Sequence, residues 1–379
     1  MNLGFVKDFF TDIRNFFSFG RVLGVDIGTV SIKLVELARK GDAVTLENYG
    51  MLATKEYLKR PNAVIQSSSL KLSIRDTAPL LKTLVDEVKP KARKVFASVP
   101  AFASFAVPIE IPLMSREETE KSIGFQAQRF IPMPVSEVSF EWEKVGEYES
   151  AEGRKSQRIL LVAVPNEIVK TYRELFHAAG LTLVALEVEH TALARAVTSF
   201  SPSAPAGSRH RMIVDIGAQS TAIVVTEGGM VRTVGTADYG AVILTQALAR
   251  NLGVSEVRAE ELKKRRGLMV AEGEYELSTS LLPFLDVIIR ECERVRASYE
   301  RTFGRPVERF TMVGGGANLL GIERYFAEAL NIPHEPARPF ARIQHDESLE
   351  PAMRTLNHDL AIATGLALKS YSALREPHP

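Results

Sequence analysis

The stretch Gly24-Val-Asp-Ile-Gly-Thr-Val-Ser-Ile-Lys33 reads as a buried β-strand that ends in an acidic residue, a glycine and two hydroxyl side chains. Its apolar run predicts one strand over residues 22–27 and a second over 32–37. The backbone N–H groups of such a turn form a concave surface that binds anions, and Asp26 can hold Mg²⁺ through its water ligands. Taken alone, Asp-Ile-Gly after a strand is more often only a tight turn.

The same pattern returns in the second half of the chain. A strand predicted over residues 212–216 ends in Asp215-Ile216-Gly217, and another strand follows over 221–225. This internal repeat predicts a duplicated α/β architecture in which each half contributes one loop to the β- and γ-phosphates of a nucleotide. The predicted ligands of the phosphates, with Mg²⁺ at Asp26 and Asp215, are Asp26, Gly28, Thr29, Ser31, Lys33, Asp215, Gly217, Gln219, Ser220 and Thr221.

Two further elements fit the remainder of a nucleotide. Gly314-Gly315-Gly316, followed by Asn318, lies between a strand (309–313) and a helix (319–330), and could present flat backbone to adenosine; a glycine-rich helix start explains it equally well. Glu260 and Lys263 share one helical face, so that one could bind ribose hydroxyls and the other the base, although a lone pair of this kind is usually solvated. The sequence contains neither a Walker P-loop nor a GxGxxG motif that could be an alternative nucleotide-binding site.

Composition excludes several other functions. The 379 residues are 45% hydrophobic and 25% charged, as expected of an ordinary globular protein with two or three domains. A net charge of +1 argues against nucleic acid as a partner. The single cysteine, Cys292, forms neither a disulfide nor a zinc site, and the N-terminus has no signal-peptide pattern. We therefore expect a cytoplasmic protein.

The segmentation of the chain follows from composition and periodicity. Residues 101–186 read as a separate α+β unit whose helix opens at a capping sequence beginning with Ser115, and residues 201–211, rich in Pro, Ser and Ala, mark a break between the halves. The predicted domains are an amphipathic helix in 1–20, a first lobe over 21–200 with the insert at 101–186, and a second lobe over 212–372 with a nucleotide-binding insertion at about 232–300.

These elements, in this order, resemble the actin-like ATPase superfamily. Within it the chain is similar to the PilM family of type IV pilus assembly proteins, relatives of the cell-division protein FtsA, from Arg21 to about Lys369. The Arg-Phe-Ile-Pro-Met-Pro sequence is the most diagnostic, because generic actin-like ATPases lack it. The segments that carry the resemblance are 24–37, 129–138, 188–194, 214–221 and 312–318.

The resemblance implies a two-lobed actin-like ATPase fold with duplicated RNase H-like halves and a small SHS2-like insert. It implies ATP and Mg²⁺ binding with at most slow hydrolysis, with Glu189 and Gln219 nearest the hydrolytic water. His190-Thr191 departs from the family pattern beside Glu189, which puts turnover in question; we expect His190 to be a core histidine with its hydrogen bonds satisfied. The implied partners are the N-terminal cytoplasmic tail of a PilN-like inner-membrane protein, other pilus components and a second copy of the chain, at the cytoplasmic side of the inner membrane.

Two alternative functions belong to other classes of protein. An FtsA-like division or cytoskeletal protein ends in an amphipathic membrane helix, whereas residues 372–379 cannot form one. A sugar or acetate kinase of the same superfamily needs a catalytic carboxylate and a polar pocket in the first lobe, where this chain has an apolar, Pro-containing insert.

Residues 3–19 have the period of an amphipathic helix. The charges of Lys7 and Arg14 are cancelled by those of Asp8 and Asp12, so the segment has little attraction for anionic lipid. This balance favours a protein contact over a membrane surface. The apolar face consists of Val6, Phe9, Phe10, Ile13, Phe16 and Phe17.

Overall fold

The computed structural model describes residues 20–54, 74–100, 104–149, 153–198, 210–269 and 275–372. These residues form two compact units. The first comprises the described parts of Met1–Asp42, Leu46–Glu189 and Leu366–Pro379, and the second comprises Ala43–Thr45 and His190–Gly365. The helix predicted at 3–19 and residues 201–209 of the predicted break lie outside the described residues.

The first unit is built on a sheet with the strand order β3-β2-β1-β4-β8. β1 and β2 form an antiparallel hairpin, while β4 runs parallel to both β1 and β8. Nearly every residue of β1 is buried, as expected of a continuous apolar run in the middle of a sheet. The elements of this unit are β1 (Arg21–Ile27), β2 (Ser31–Lys40), β3 (Ala43–Ala53), α1 (Ile74–Val88), β4 (Lys94–Val99), β5 (Phe105–Pro112), α2 (Arg116–Ala127), β6 (Val138–Glu149), β7 (Lys155–Pro165), α3 (Asn166–Ala178) and β8 (Thr182–Val188).

The inserted α+β segment has a sheet and a core of its own. Its three strands have the order β5-β7-β6, and α2 contributes Ile123 and Ala127 to a cluster with Ile109, Ile159 and Leu161. The predicted cap of α2 is present: the Ser115 hydroxyl accepts from the Glu118 N–H, and the Glu118 side chain accepts from the Ser115 N–H. This reciprocal pair satisfies donors that the first helical turn leaves free.

The core contacts place the end of the insert earlier than residue 186. Val169, Tyr172 and Phe176 of α3, together with Leu186 of β8, pack in the core of the first sheet rather than in the core of the insert. The three-stranded sheet itself ends with β7 at Pro165. Residues 166–186 are therefore part of the body of the first unit.

The second unit contains a sheet with the order β11-β10-β9-β12. β9 and β10 repeat the antiparallel hairpin of β1 and β2, and β12 runs parallel to β9 as β4 does to β1. The two-residue β13 pairs with Val44 and Thr45. The remaining elements of the chain are α4 (Glu189–Thr198), β9 (His210–Ile216), β10 (Thr221–Glu227), β11 (Met230–Ala237), α5 (Ala241–Leu252), α6 (Glu256–Arg266), α7 (Tyr275–Phe303), β12 (Arg309–Val313), α8 (Ile322–Leu330), β13 (Ile343–Gln344), α9 (Met353–Asp359) and α10 (Ala361–Ser372). The chain passes from the second unit to the first within α10, after Gly365.

The long helix α7 supplies much of the core of the second unit. Leu285, Ile288, Cys292 and Val295 are buried along one face of it and pack in one cluster with residues of β9 and β10. Burial raises the pKa of the Cys292 thiol, so this cysteine is a small apolar core residue and not a nucleophile. Among the described residues, every helix is either too short or too polar to cross a bilayer.

A buried carboxylate anchors the turn that leads into β4. Glu36 on β2 is fully buried, and its two oxygens accept from the Ala92 N–H at 2.6 Å and from the Asn48 amide at 2.5 Å. An ionised group that is removed from water must be paired by such donors. Glu36 therefore ties β3 and the 89–93 turn to the central hairpin.

Replacing Glu36 with leucine should destabilise the first unit. The change leaves the buried Ala92 N–H without an acceptor, a loss of about 2 kcal/mol. We expect the midpoint of thermal unfolding, measured by scanning calorimetry, to fall by roughly 4–8 °C. The same substitution at the exposed Glu174 of α3 is the control and should change it little. Equal midpoints for the two variants would contradict an anchoring role for Glu36.

Candidate functional site

The two predicted phosphate loops have the same local geometry. In the first, the Gly28 N–H donates to the Ser31 carbonyl at 3.0 Å, and in the second, the Gly217 N–H donates to the Ser220 carbonyl, also at 3.0 Å. Each bond closes a tight hairpin that directly follows an Asp-Ile pair at the end of a buried strand. The internal repeat predicted from the sequence is thus present in the backbone of both units.

Asp26 is held by two neighbours in the first unit. Its Oδ1 accepts from the Ser98 hydroxyl at 2.7 Å, and its Oδ2 lies 3.7 Å from the Lys33 ammonium. The carboxylate is buried, with 3% of the residue exposed. Ser98 did not emerge from the sequence, because it lies 72 residues away and reaches Asp26 only through the pairing of β1 with β4.

Tyr172 is a second residue that the sequence did not reveal. It is fully buried on α3, and among the described residues its hydroxyl has no hydrogen-bond partner. Burial raises the Tyr172 pKa, and the negative charges of Glu189 and Asp26 raise it further. The hydroxyl therefore stays protonated, and its unused donor near two carboxylates suits a water molecule or a ligand oxygen.

The second loop is packed against the triple glycine. Gly314 has a left-handed φ of 82°, and a Cβ added there would collide with the Asp215 carboxylate and the Ile216 carbonyl. A Cβ at Gly316 would collide with the Ile216 side chain. Of the three glycines, only Gly315 is exposed to solvent. Two of the three glycines thus bring the end of β12 against the second loop, and Gly315 alone offers free backbone surface.

Asn318 fastens the turn that contains these glycines. Its amide donates to the Asp359 carboxylate at 3.0 Å, and its oxygen accepts from His358 Nδ1 at 3.0 Å. The Gly314 N–H donates to the His358 carbonyl at 3.0 Å. Burial lowers the pKa of His358 to about 4, so the ring is neutral and Nδ1 carries its hydrogen. The Asn318 side chain is therefore occupied in joining this turn to α9.

Lys263 and Glu260 form a network between α6 and α5. The buried ammonium of Lys263 lies 2.6 Å from Glu260 Oε2, 2.7 Å from the Thr245 hydroxyl and 3.0 Å from the Ala241 carbonyl. Three acceptors match its three N–H donors. Burial works to raise the pKa of Glu260, but Lys263 and the hydrogen bonds prevail and lower it. Glu260 is thus ionised and oriented by a lysine whose own donors are used.

The other predicted residues divide between ligand-facing and structural positions. Thr29, Ser31 and Ser220 are half-buried on the two turns and Gln219 is exposed, which leaves their polar groups accessible. By contrast, Thr221 is fully buried and donates to the Tyr239 carbonyl at 2.7 Å, which makes it a packing residue of the hairpin.

Glu189 and His190 open α4. Glu189 is half-buried, whereas His190 is buried and, within the described part of the chain, its Nε2 has no hydrogen-bond partner. Burial lowers the pKa of His190 to about 4. The expectation that His190 has its hydrogen bonds satisfied is therefore wrong: the ring is neutral, with one unpaired nitrogen.

The available carboxylates suit a Mg²⁺ ion that is bound together with a phosphate ligand. Residues 20–54, 74–100, 104–149, 153–198, 210–269 and 275–372 contain no group of three or more His, Cys, Asp or Glu side chains able to hold a metal. Mg²⁺ in phosphate sites keeps several waters and takes only one or two carboxylates, the remaining ligands being phosphate oxygens. Asp26 and Asp215 each stand at a strand end beside a tight glycine turn, so each offers the single carboxylate that such an ion requires.

Comparison with known proteins places the chain in a family. A family model described as type IV pilus assembly protein PilM matches residues 24–371. The chain is similar to a solved structure of the PilM-PilN type IV pilus biogenesis complex, with 24% sequence identity and a TM-score of 0.77, over 94% of this chain and 99% of that one.

Two further structures are similar at lower identity. Ethanolamine utilization protein EutJ from Carboxydothermus hydrogenoformans matches with 18% identity and a TM-score of 0.52, over 93% of this chain and 90% of that one. MreB 5 of Spiroplasma citri bound to AMPPNP matches with 12% identity and a TM-score of 0.49, over 94% and 96%.

The predicted fold class, an actin-like α/β fold, is confirmed by the first two structural matches. The family model covers most of the chain, including both hairpin turns and the triple glycine. It also spans the Arg-Phe-Ile-Pro-Met-Pro sequence that carried the resemblance. The chain belongs to the PilM family of type IV pilus assembly proteins.

Proposed function

We propose that this pilus assembly protein binds ATP with Mg²⁺ and docks the cytoplasmic tail of a PilN-like membrane protein, at the cytoplasmic side of the inner membrane. The observation that carries the nucleotide part is the repeated hairpin. Both units close a buried strand with an aspartate and a glycine turn of equal hydrogen-bond length. An unrelated tight turn has no reason to recur with an acidic residue at the same place.

The first turn supplies a negatively charged group for a cation and hydrogen-bond donors for an anion. Asp26 is oriented by Ser98 and Lys33, and the hydroxyls of Thr29 and Ser31 are accessible beside it. A bound Mg²⁺ would neutralise phosphate charge and polarise the phosphoryl oxygens. The protein's own part is to orient the Asp26 carboxylate and to offer backbone N–H groups to phosphate.

The second turn rests on the positive end of a helix. The Ala241 and Val242 N–H groups at the start of α5 donate to the Gly217 and Ala218 carbonyls, each at 2.9 Å. The helix dipole therefore points its positive end at the turn and favours a bound anion there. From the same unit, we propose that Gly315 contacts the adenosine and that Glu260, oriented by Lys263, accepts from the ribose hydroxyls.

Hydrolysis should be slow, because strong bases are scarce around the loops. Tyr172 is protonated and His190 is an uncharged ring with a pKa of about 4, which is a weak base. Glu189 is the remaining candidate for orienting a water, and Gln219 could position it. We propose that ATP serves mainly to favour one conformation through its differential affinity for it.

The first test of the nucleotide site replaces its two aspartates by asparagine. Asp26→Asn keeps an acceptor for Ser98, and with Asp215→Asn it removes the charge that holds Mg²⁺. Each change should weaken Mg²⁺-dependent ATP binding at least tenfold in titration calorimetry, about 1.4 kcal/mol. Asp86→Asn, at an exposed position on α1, is the control. Unchanged ATP affinity in both site variants would contradict the proposal that the protein binds a nucleotide at these turns.

The second test measures steady-state turnover. Release of phosphate from ATP and Mg²⁺ should proceed far below the ~10 s⁻¹ typical of metabolic enzymes. Glu189→Gln should reduce even this rate while ATP affinity stays the same. A turnover near the metabolic range, alone or with an added sugar, would support a kinase instead.

We place the PilN-like tail on the insert. The order β5-β7-β6 makes β5 an edge strand, which can pair with an extended peptide. Pro108 and Pro112 lack amide hydrogens and limit the donors of that edge, so β5 resists indiscriminate pairing. The insert also exposes Phe125, at 77%, and Phe130, at 42%, as apolar contacts for peptide side chains. Contacts with other pilus components and self-association remain predictions.

The docking test uses a synthetic PilN-like tail peptide and a shortened protein. Residues 104–165 are replaced by a flexible Gly/Ser linker of about ten residues, which leaves α3 and β8 in the core of the first unit. The full chain should bind the peptide and the shortened protein should not. Retained ATP affinity in the shortened protein verifies that its fold survives. Equal peptide affinity for both proteins would place the partner site elsewhere.

A further inference from the structure

Six cationic side chains meet at one end of the sheet in the first unit. Because β1 and β4 are parallel and β2 runs against them, the starts of β1 and β4 lie at the same edge as the end of β2. The backbone N–H of Arg39 donates to the Gly20 carbonyl at 2.9 Å and so joins the end of β2 to the start of β1. This basic end borders a depression of about 550 Å³, and its cations are Arg21, Arg39, Lys40, Lys91, Arg93 and Lys94.

The positive charge of the basic end is only partly compensated. Glu47 lies 2.7 Å from Lys40 and 3.7 Å from Arg21, and Asp42 lies 3.7 Å from Arg39. The hydrogen bond from Lys40 lowers the pKa of Glu47. Three carboxylates, Glu47, Asp42 and the buried Glu36, stand against Arg21, Arg39, Lys40, Lys91 and Arg93, so the basic end keeps a positive excess even with Lys94 left out of the count. Lys91 and Arg93 form no ion pair with any carboxylate in the part of the chain that the structure describes.

The turn that carries Lys91 and Arg93 is held in place. The Ala92 N–H between them donates to the buried Glu36 carboxylate, and Pro90 before them is buried. Lys91, Arg93 and Lys94 are themselves exposed. A buried anchor under exposed charges presents them to solvent in a defined arrangement.

The basic end is separate from the nucleotide loop. Arg21 begins β1, whereas Asp26 lies five residues further along the same strand, about 17 Å away at the rise of an extended chain. These cations therefore have no part in holding phosphates at the turn of Gly28.

We propose that the basic end binds the surface of a membrane that contains anionic lipids. A pocket for a small soluble anion would enclose its donors, whereas the side chains of Arg21, Arg39 and Lys40 are 42%, 39% and 59% exposed. Exposed cations spread over three strand ends suit a planar array of phosphate headgroups, which attract each uncompensated Lys or Arg with about 1 kcal/mol.

The position of the preceding segment supports the same occupant. The described chain begins at Gly20, which itself lines the depression, so residues 3–19 connect to the protein at the basic end. Their sequence has an aromatic amphipathic face and no net charge. Stable membrane attachment takes two signals; the sequence before Gly20 predicts an apolar one, and the basic end would supply the electrostatic one. The charge balance of residues 3–19, taken alone, favoured a protein contact; the positive charge of the basic end, at which the described chain begins, favours the membrane instead.

The test compares co-sedimentation of the full chain with vesicles. The protein should bind vesicles that contain phosphatidylglycerol, bind vesicles of phosphatidylcholine alone much more weakly, and be released by salt. Lys91→Ser with Arg93→Ser should lower the partition coefficient roughly 30-fold, at about 1 kcal/mol per charge. Lys121→Ser with Lys170→Ser removes two exposed charges elsewhere in the unit and should change the partition coefficient little.

A deletion of residues 1–19 separates the apolar contribution of that segment to vesicle binding from the electrostatic contribution of the basic end. The deleted segment carries no net charge, so weaker binding that keeps its salt dependence is expected. Loss of the salt dependence on deletion would overturn the proposal, as would equal binding by the two double variants. Binding of inorganic pyrophosphate that depends on Lys91 and Arg93, without vesicle binding, would likewise replace the membrane by a soluble anion.

Discussion

The register of the hairpin between β1 and β2 governs both ends of the first unit. It pairs Asp26 with Lys33 at the turn and Arg21 with Ala38 at the opposite edge. A shift by one residue would move every side chain of a strand to the other face of the sheet. It would withdraw Asp26 from Ser98 and exchange the side chains that pack on the two buried faces of β1. The apolar run of β1, buried on both faces, therefore stabilises the register that creates the polar turn and the basic end together.

The second unit repeats the hairpin but completes it differently. Where Lys33 stands opposite Asp26, Ala222 stands opposite Asp215. The carboxylate of Asp215 is approached closely by the backbone of Gly314, which has no side chain to obstruct it. The turn after β12 is then fastened through Asn318 to His358 and Asp359. The second unit thus packs backbone closely against the aspartate of its turn.

Buried polar groups divide into those that build the site and those left for a ligand. Glu36, Lys263 and Asn318 have their donors and acceptors matched by neighbours, as a buried group requires. Tyr172 and His190 are buried with one polar atom unpaired within the described residues. An unpaired buried group costs stability, so each of these two atoms is a candidate to bind a water molecule or a ligand.

The sequence by itself determined the strands on either side of the two turns, the turns themselves and the family, because these depend on local patterns. Continuous apolar runs specify buried strands, an aspartate and a glycine specify each turn, and the order of the motifs identifies the PilM family. The α2 cap was also predictable, since Ser115 and Glu118 interact within one helical turn.

Only the tertiary structure decided which side chains meet across long stretches of chain. Ser98 reaches Asp26 because β4 pairs with β1, and α3 joins the first core because its apolar face covers that sheet. The basic end exists because strand direction gathers charges from residues 21, 39–40 and 91–94, and no window of sequence contains them all. Strand pairing and burial are properties of the whole chain, so neither composition nor local periodicity could reveal these sites.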